Sequence, residues 1–274
     1  MRSQGWRGKL GLRYERRGAR TVLAQRQHSG PLLVQKPFYP EGERVCHGIV
    51  LHPPGGVVGG DELELEVTVD ADANALLTTP GATKWYRSAG AQARQSMRFR
   101  VQCGASLEWL PQPAIAFDRV LGRADSEVVV DESGCYIGWE ILCLGRTAAG
   151  EQMRSGRLLT SMRIMRAAEP LWLEHASIEG GSRLLVSPVG LAGQPINGTL
   201  LAVSREIGPV LLGACRAVQP VAGRTGVTCL PGLIIARYLG DHAEAAHDYF
   251  VRLWRVLRPA LLGWEAQPPR IWRT

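Results

Sequence analysis

Cys46, His47 and His52 stand close together in the sequence, and thiolate with imidazole is a donor set that suits nickel or copper. They are the nearest approach to a metal cluster in the chain, although three such groups beside a turn are commonly satisfied by their neighbours. His52 also opens the segment HPPGGVVGGD (52–61), whose glycines invite comparison with a phosphate cradle. A P-loop needs GxxxxGK followed by Ser or Thr, because the lysine and hydroxyl reach the terminal phosphate and its magnesium. Here Asp61 follows the glycines, and a carboxylate repels phosphate. The segment reads instead as a tight, partly buried turn between strands, with glycine supplying positive φ and close approach while Pro53 and Pro54 fix φ. Glu108 and Asp118 form a carboxylate pair of the type used in glycoside cleavage, but their spacing alone is a weak signal. There is no GxSxG elbow and no HExxH. Binding or scaffolding is favoured over an enzyme.

The elements that must position these residues are mainly strands. Glu62 to Val69 and Ser96 to Gln102 alternate polar and apolar residues, and Thr160 to Arg166 does so less cleanly. Further apolar or β-branched runs lie at 49–51, 126–130, 136–144, 171–178, 200–203, 210–218 and 233–239, separated by Gly, Pro, Asn or Asp. Helical stripes are nearly absent before residue 240, and strands do not alternate with helices, which excludes a doubly wound α/β fold. The expectation is an extended, mainly β architecture in a single domain, 1–274. Its exception is a helix over 241–261: Ala246, Phe250, Leu253, Trp254 and Leu257 form one stripe, Asp241 and Glu244 have the spacing of an N-cap and its partner, and Pro259 stops or kinks it.

Composition narrows the function classes. The 274 residues are 45% apolar, ample for a large core, and carry 32 basic against 25 acidic side chains, for a net charge of +7. The arginines are dispersed among acids instead of forming a stripe, and no RNA- or DNA-binding motif accompanies them, so nucleic acid is not expected. No apolar run reaches a signal peptide or a membrane span, which predicts a cytoplasmic chain without membrane contact. Six scattered cysteines without a CxxC pair read as thiols. Asn197-Gly198-Thr199, a glycosylation pattern, reads as a turn.

Six strings carry a resemblance: FYPEG (38–42), VCHGIVLHPPGGVVGGD (45–61), LLTTPGATKWYRS (76–88), SLEWLPQ (106–112), GWEILCLGR (138–146) and PPRIWRT (268–274). In order and from end to end, the chain resembles the urease accessory protein UreD family, called UreH in some bacteria. It departs at Pro111-Gln112-Pro113, where the family usually has Pro-Gln-Glu. The resemblance implies a β-helix-like stack of many short strands with a small helical element near the C-terminus. It implies a non-catalytic scaffold and metallochaperone that binds urease apoprotein, the accessory protein UreF and, through UreF, the GTPase UreG. GTP would be used by UreG and not by this chain; nickel would be transient cargo, with no cofactor tightly held. The alternatives are a β-helical carbohydrate-active enzyme and an autonomous metal-binding protein, which would need denser ligands.

Within that resemblance, Asp61, Glu140 and Glu174 are the expected nickel path, since each interrupts an apolar or glycine-rich segment where an unpaired charge is costly. Isolated carboxylates suit weak, successive contacts. The UreF interface is expected in the C-terminal region, with Trp254, Arg255, Arg258, Trp264 and Trp272 as anchors.

Overall fold

The computed structural model describes residues 5–273. The chain opens with β1 (Arg7–Arg17), β2 (Arg20–Ser29) and β3 (Leu33–Val34). It then coils three times through a cycle of three strands: β4 (Cys46–Leu51), β5 (Gly56–Val57) and β6 (Glu62–Val69); β7 (Asn74–Thr78), β8 (Thr83–Trp85) and β9 (Ala93–Val101); β10 (Ser106–Leu110), β11 (Ala114–Ala116) and β12 (Val120–Val130). β13 (Cys135–Leu144) and β14 (Gly156–Arg166) make a wider turn. There follow β15 (Glu169–Glu179), α1 (Arg183–Val186), β16 (Ile196–Val203), α2 (Pro209–Ala217), β17 (Arg224–Leu230), β18 (Leu233–Gly240) and α3 (Ala243–Leu262).

Each strand of one coil pairs in parallel with its counterpart in the next. β6, β9, β12 and β14 stack this way, as do β4, β7, β10 and β13, while β5, β8 and β11 make the corner between them. Leu65 pairs with Met97, which pairs with Ser126, so a coil takes about 30 residues, within the range of solenoid repeats. The mainly β, β-helix-like architecture is therefore present. Antiparallel partners finish the stack, β2 and β15 on the first sheet and β16, β18 and β17 on the second.

Side-chain parity builds three layers from these strands. In β6, Leu63, Leu65, Val67 and Val69 are buried and the glutamates between them face water, where Glu64 meets Lys9 at 3.4 Å and Glu66 meets Arg98 at 3.1 Å. Exposed pairs of this kind contribute at most about 1 kcal/mol each, whereas each buried aliphatic contributes about 1.5–3 kcal/mol. The second sheet is buried on both faces. Leu107, Trp109, Tyr136 and Leu201 point toward the first sheet, while Leu110, Ile137, Trp139 and Leu200 point the other way, against α3.

Five local expectations change. Residues 210–218 are not a strand: Pro209 at the first helical position and Gly208 before it start α2, whose Cys215 is buried. Asn197-Gly198-Thr199 lies inside β16 instead of in a turn, and its glycine answers to packing, because a Cβ there would stand 2.8 Å from the Phe250 ring on α3. The helix predicted over 241–261 begins after His242 with no side-chain cap, so Asp241 does not close it. Pro259 is accommodated within that helix, which ends at Gly263 in the left-handed region. In HPPGGVVGGD, Gly55 and Gly60 have φ of 73° and 96°, as the turn reading requires, but Gly56 and Val57 form the short corner strand β5.

Candidate functional site

The same parity places a layer of polar groups between the sheets. On the second sheet Glu140 of β13 pairs with Thr199 of β16, which pairs with Arg237 of β18. On the first sheet Ser126 of β12 pairs with Met162 of β14, which pairs with Glu174 of β15. The two rows face one another, since Ser126 Oγ donates to Glu140 Oε1 at 3.0 Å and Arg237 Nη2 donates to Glu174 Oε1 at 2.8 Å. Arg237 Nη1 also donates to Thr199 Oγ1 at 2.5 Å, and Trp172 Nε1 donates to Glu174 Oε2 at 3.2 Å.

These rows line a cavity of about 320 Å³ that continues between the sheets past Leu201, Trp109 and Met97 to the loops carrying His52 and Gly81. Burial and then the charge of Glu174 push the Glu140 carboxyl above its ordinary range, with the Ser126 hydroxyl acting against both. At the other end burial pushes the His52 imidazole down, although Asp61 opposes this. A string of separated oxygen ligands in a roomy, part-polar space can pass a divalent cation between weak contacts without a dense site to trap it.

Of the three expected path residues, Glu140 and Glu174 come together in the cavity and Asp61 does not line it. The buried Asp61 carboxylate is spent on the chain itself, accepting from the Trp6 and Val58 backbone N–H groups at 2.8 and 2.9 Å. Cys46, His47 and His52 do not assemble a ligand set. Cys46 Sγ donates to the Tyr39 hydroxyl, His47 Nε2 contacts Glu41 Oε1 at 2.5 Å, and His52 faces the cavity. Among the described residues no group of three or more His, Cys, Asp or Glu could hold a metal ion. Glu108 and Asp118 do not form a catalytic pair either: Glu108 is buried against α3, while Asp118 accepts from the Arg154 and Ser155 backbone.

The C-terminal anchors divide. Arg258 is 0% exposed and grips two carboxylates, with Nε 3.0 Å from Glu108 Oε1 and Nη1 2.6 Å from Glu41 Oε2. Trp254, also buried, donates to Glu108 Oε1 at 2.5 Å. Burial pushes the Glu108 carboxyl up against these donors, whereas the His47 and Arg258 hydrogen bonds outweigh burial at Glu41 and hold it below its ordinary range. Both residues serve the chain's own core, which corrects their assignment as surface anchors. Trp272 is partly buried, donates to Thr78 Oγ1 at 2.8 Å and packs on Trp139 and Trp254. Trp264 is also partly buried, beside Arg44. Arg255 is the member of the set that faces water.

Sequence reasoning passed over Arg237, Ser126 and Thr199. Arg237 carried a signal, being the lone charge in the apolar run LIIARYL, by the same argument that singled out Glu140.

A coiled stack of parallel strands enclosing a part-polar cavity defines a β-solenoid. The family profile described as UreD urease accessory protein matches residues 6–273. The chain is 52% identical to the urease accessory protein UreD of Azoarcus sp. (strain BH72), over 98% of this chain and 95% of that one. It is 48% identical to UreD of Dechloromonas aromatica (strain RCB), over 99% and 96% of the two chains, and 47% identical to that of Pseudomonas aeruginosa (strain PAO1), over 98% and 95%. The chain belongs to the UreD urease accessory protein family, named for an accessory role and not for an enzymatic one. No helix among the described residues is long and apolar enough to cross a membrane.

Proposed function

We propose that this chain is a cytoplasmic scaffold and metallochaperone of urease maturation, which binds urease apoprotein and UreF, reaches UreG through UreF, and lets nickel pass between its two sheets toward urease. Nickel is cargo here and not a resident cofactor, and GTP is spent by UreG. The observation that carries the reading is the cavity holding Glu140 and Glu174, carboxylates of two facing sheets that neither close a tight site nor serve the core. Moving a dication through protein requires water and negative groups in place of its hydration shell, and these residues supply them. Asp61 drops out of the path, since its two oxygens accept from the backbone N–H groups of Trp6 and of Val58 in the glycine turn. The partner surface at the C-terminus rests on Arg255, with the edges of Trp264 and Trp272, because Trp254 and Arg258 are enclosed.

The test is Glu140→Gln, which keeps the shape and the Ser126 contact but removes the charge. Under limiting nickel, urease matured with this variant carries less nickel while the accessory complex still assembles. Full nickel content, or loss of assembly as the only defect, would reject the path.

A further inference from the structure

Both oxygens of Glu174 are engaged, one by the Arg237 guanidinium and the other by the Trp172 indole. Glu140, in the same cavity, accepts only from the Ser126 hydroxyl, and its second oxygen has no hydrogen-bond partner among the described residues. A dication entering this layer therefore meets one available carboxylate and one already holding a cation. Arg237 is held by Thr199 and lies 5.7 Å from the centroid of the Trp172 ring, yet its side chain is 43% exposed. Its head can turn toward water without unpacking β18, where Ile235 and Tyr238 stay buried.

Resting on the reading of this cavity as a nickel path, we infer that Arg237 is a tethered cation competing for Glu174, so that a divalent metal is held between Glu174 and Glu140 only while the guanidinium is displaced. The charges support this. At rest the Arg237 guanidinium balances the Glu174 carboxylate it touches, and burial pushes the neighbouring Glu140 carboxyl above its ordinary range. A dication between the two carboxylates takes over the positive charge beside Glu174 that Arg237 carries away when it turns outward. Guanidinium is permanently charged, so it cannot be switched off by deprotonation and must move. Its return to Glu174 favours release of the metal, which keeps occupancy short. Without it, two carboxylates with the Ser126 hydroxyl would form an oxygen-rich site able to retain the ion.

The experiment is equilibrium dialysis of the purified chain against Ni²⁺ alone. Arg237→Gln, folded as judged by thermal unfolding, binds nickel about tenfold tighter than the unaltered chain, the effect of deleting one close competing charge. Adding Glu140→Gln abolishes the gain, and Arg237→Lys restores weak binding. Thr199→Val, which cuts one tether without altering any charge, shifts affinity the same way as Arg237→Gln and carries the test should the latter misfold. Unchanged affinity in Arg237→Gln and Thr199→Val, or extra nickel that survives Glu140→Gln, overturns the assignment. The path itself is read separately, by urease nickel content with Glu140→Gln, so a cavity that transmits nickel normally in that variant removes the path, whereas reduced loading with no affinity gain in Arg237→Gln removes only the role of Arg237.

Discussion

Replacing Arg258 with alanine should unfold a large part of the molecule's stability margin. The guanidinium is 0% exposed and lies between Glu108, 1% exposed, and Glu41, 5% exposed, with Nη1 also reaching the Glu265 carbonyl. Its removal leaves two buried carboxylates facing each other and strips a donor from the Glu265 carbonyl just past α3. Breaking a buried ion pair from one side costs about 3–5 kcal/mol, set against a total of about 5–15 kcal/mol for a folded domain. At about 2–4 °C per kcal/mol for a chain of this size, the thermal midpoint falls by about 6–20 °C. Differential scanning calorimetry on the purified variant measures it. The control is Glu41→Gln, Glu108→Gln and Arg258→Met combined, which removes every charge and recovers much of the loss because no charge is left orphaned. A midpoint within about 2 °C of the unaltered protein for Arg258→Ala, less than one lost kcal/mol, would refute the claim that this residue is a core cation.

Three further outcomes follow from the geometry. Arg255→Glu, on the exposed side of the same helix, leaves the midpoint within the roughly 0.5 kcal/mol expected of surface changes but weakens co-purification with UreF; an unaffected complex removes Arg255 from the interface. Gly198→Ala drives a methyl into the Phe250 ring 2.8 Å away and destabilises the chain by about 1–3 kcal/mol in urea titration, with no loss expected if α3 can shift freely. Acid lowers stability through Glu41 and Asp118, whose carboxyls are held below their ordinary range: burial raises each, and hydrogen bonds from His47 and Arg258, or from the Ser155 and Arg154 backbone, outweigh it. A depressed folded-state value stabilises above the unfolded one and is lost as pH falls through and below about 4–4.5, so urea midpoints decline there in the unaltered chain and decline less in Glu41→Gln.

Much of the fold was legible because parity survives in sequence. Leu63, Leu65 and Val67 between glutamates announce a half-buried strand, and β1 carried the same alternation in Leu10, Leu12 and Tyr14, though Gly8 and Gly11 weaken it and it was not among the expected strands. VLLGACRAV was misread because a short apolar run fits a buried strand or a helix equally, and only Pro209 marked the helix start. The site was half legible. Glu140 and Glu174 stood out as charges in apolar company, but their meeting depends on two sheets closing over one another, which no local pattern encodes. Arg258 was read as a surface anchor because its partners Glu41 and Glu108 lie 217 and 150 residues away. Its place on the Trp254 stripe, one helical turn on, was the available clue.

Passage of nickel through the space between the sheets is tested most directly by filling that space. Ala176 faces the cavity from β15, and its neighbour Ser177 faces water from the same strand. Urease matured under limiting nickel with Ala176→Trp should contain markedly less nickel than urease matured with Ser177→Trp, both variants remaining folded and bound to their partners. Equal nickel contents from the plugged and unplugged chains would contradict the account.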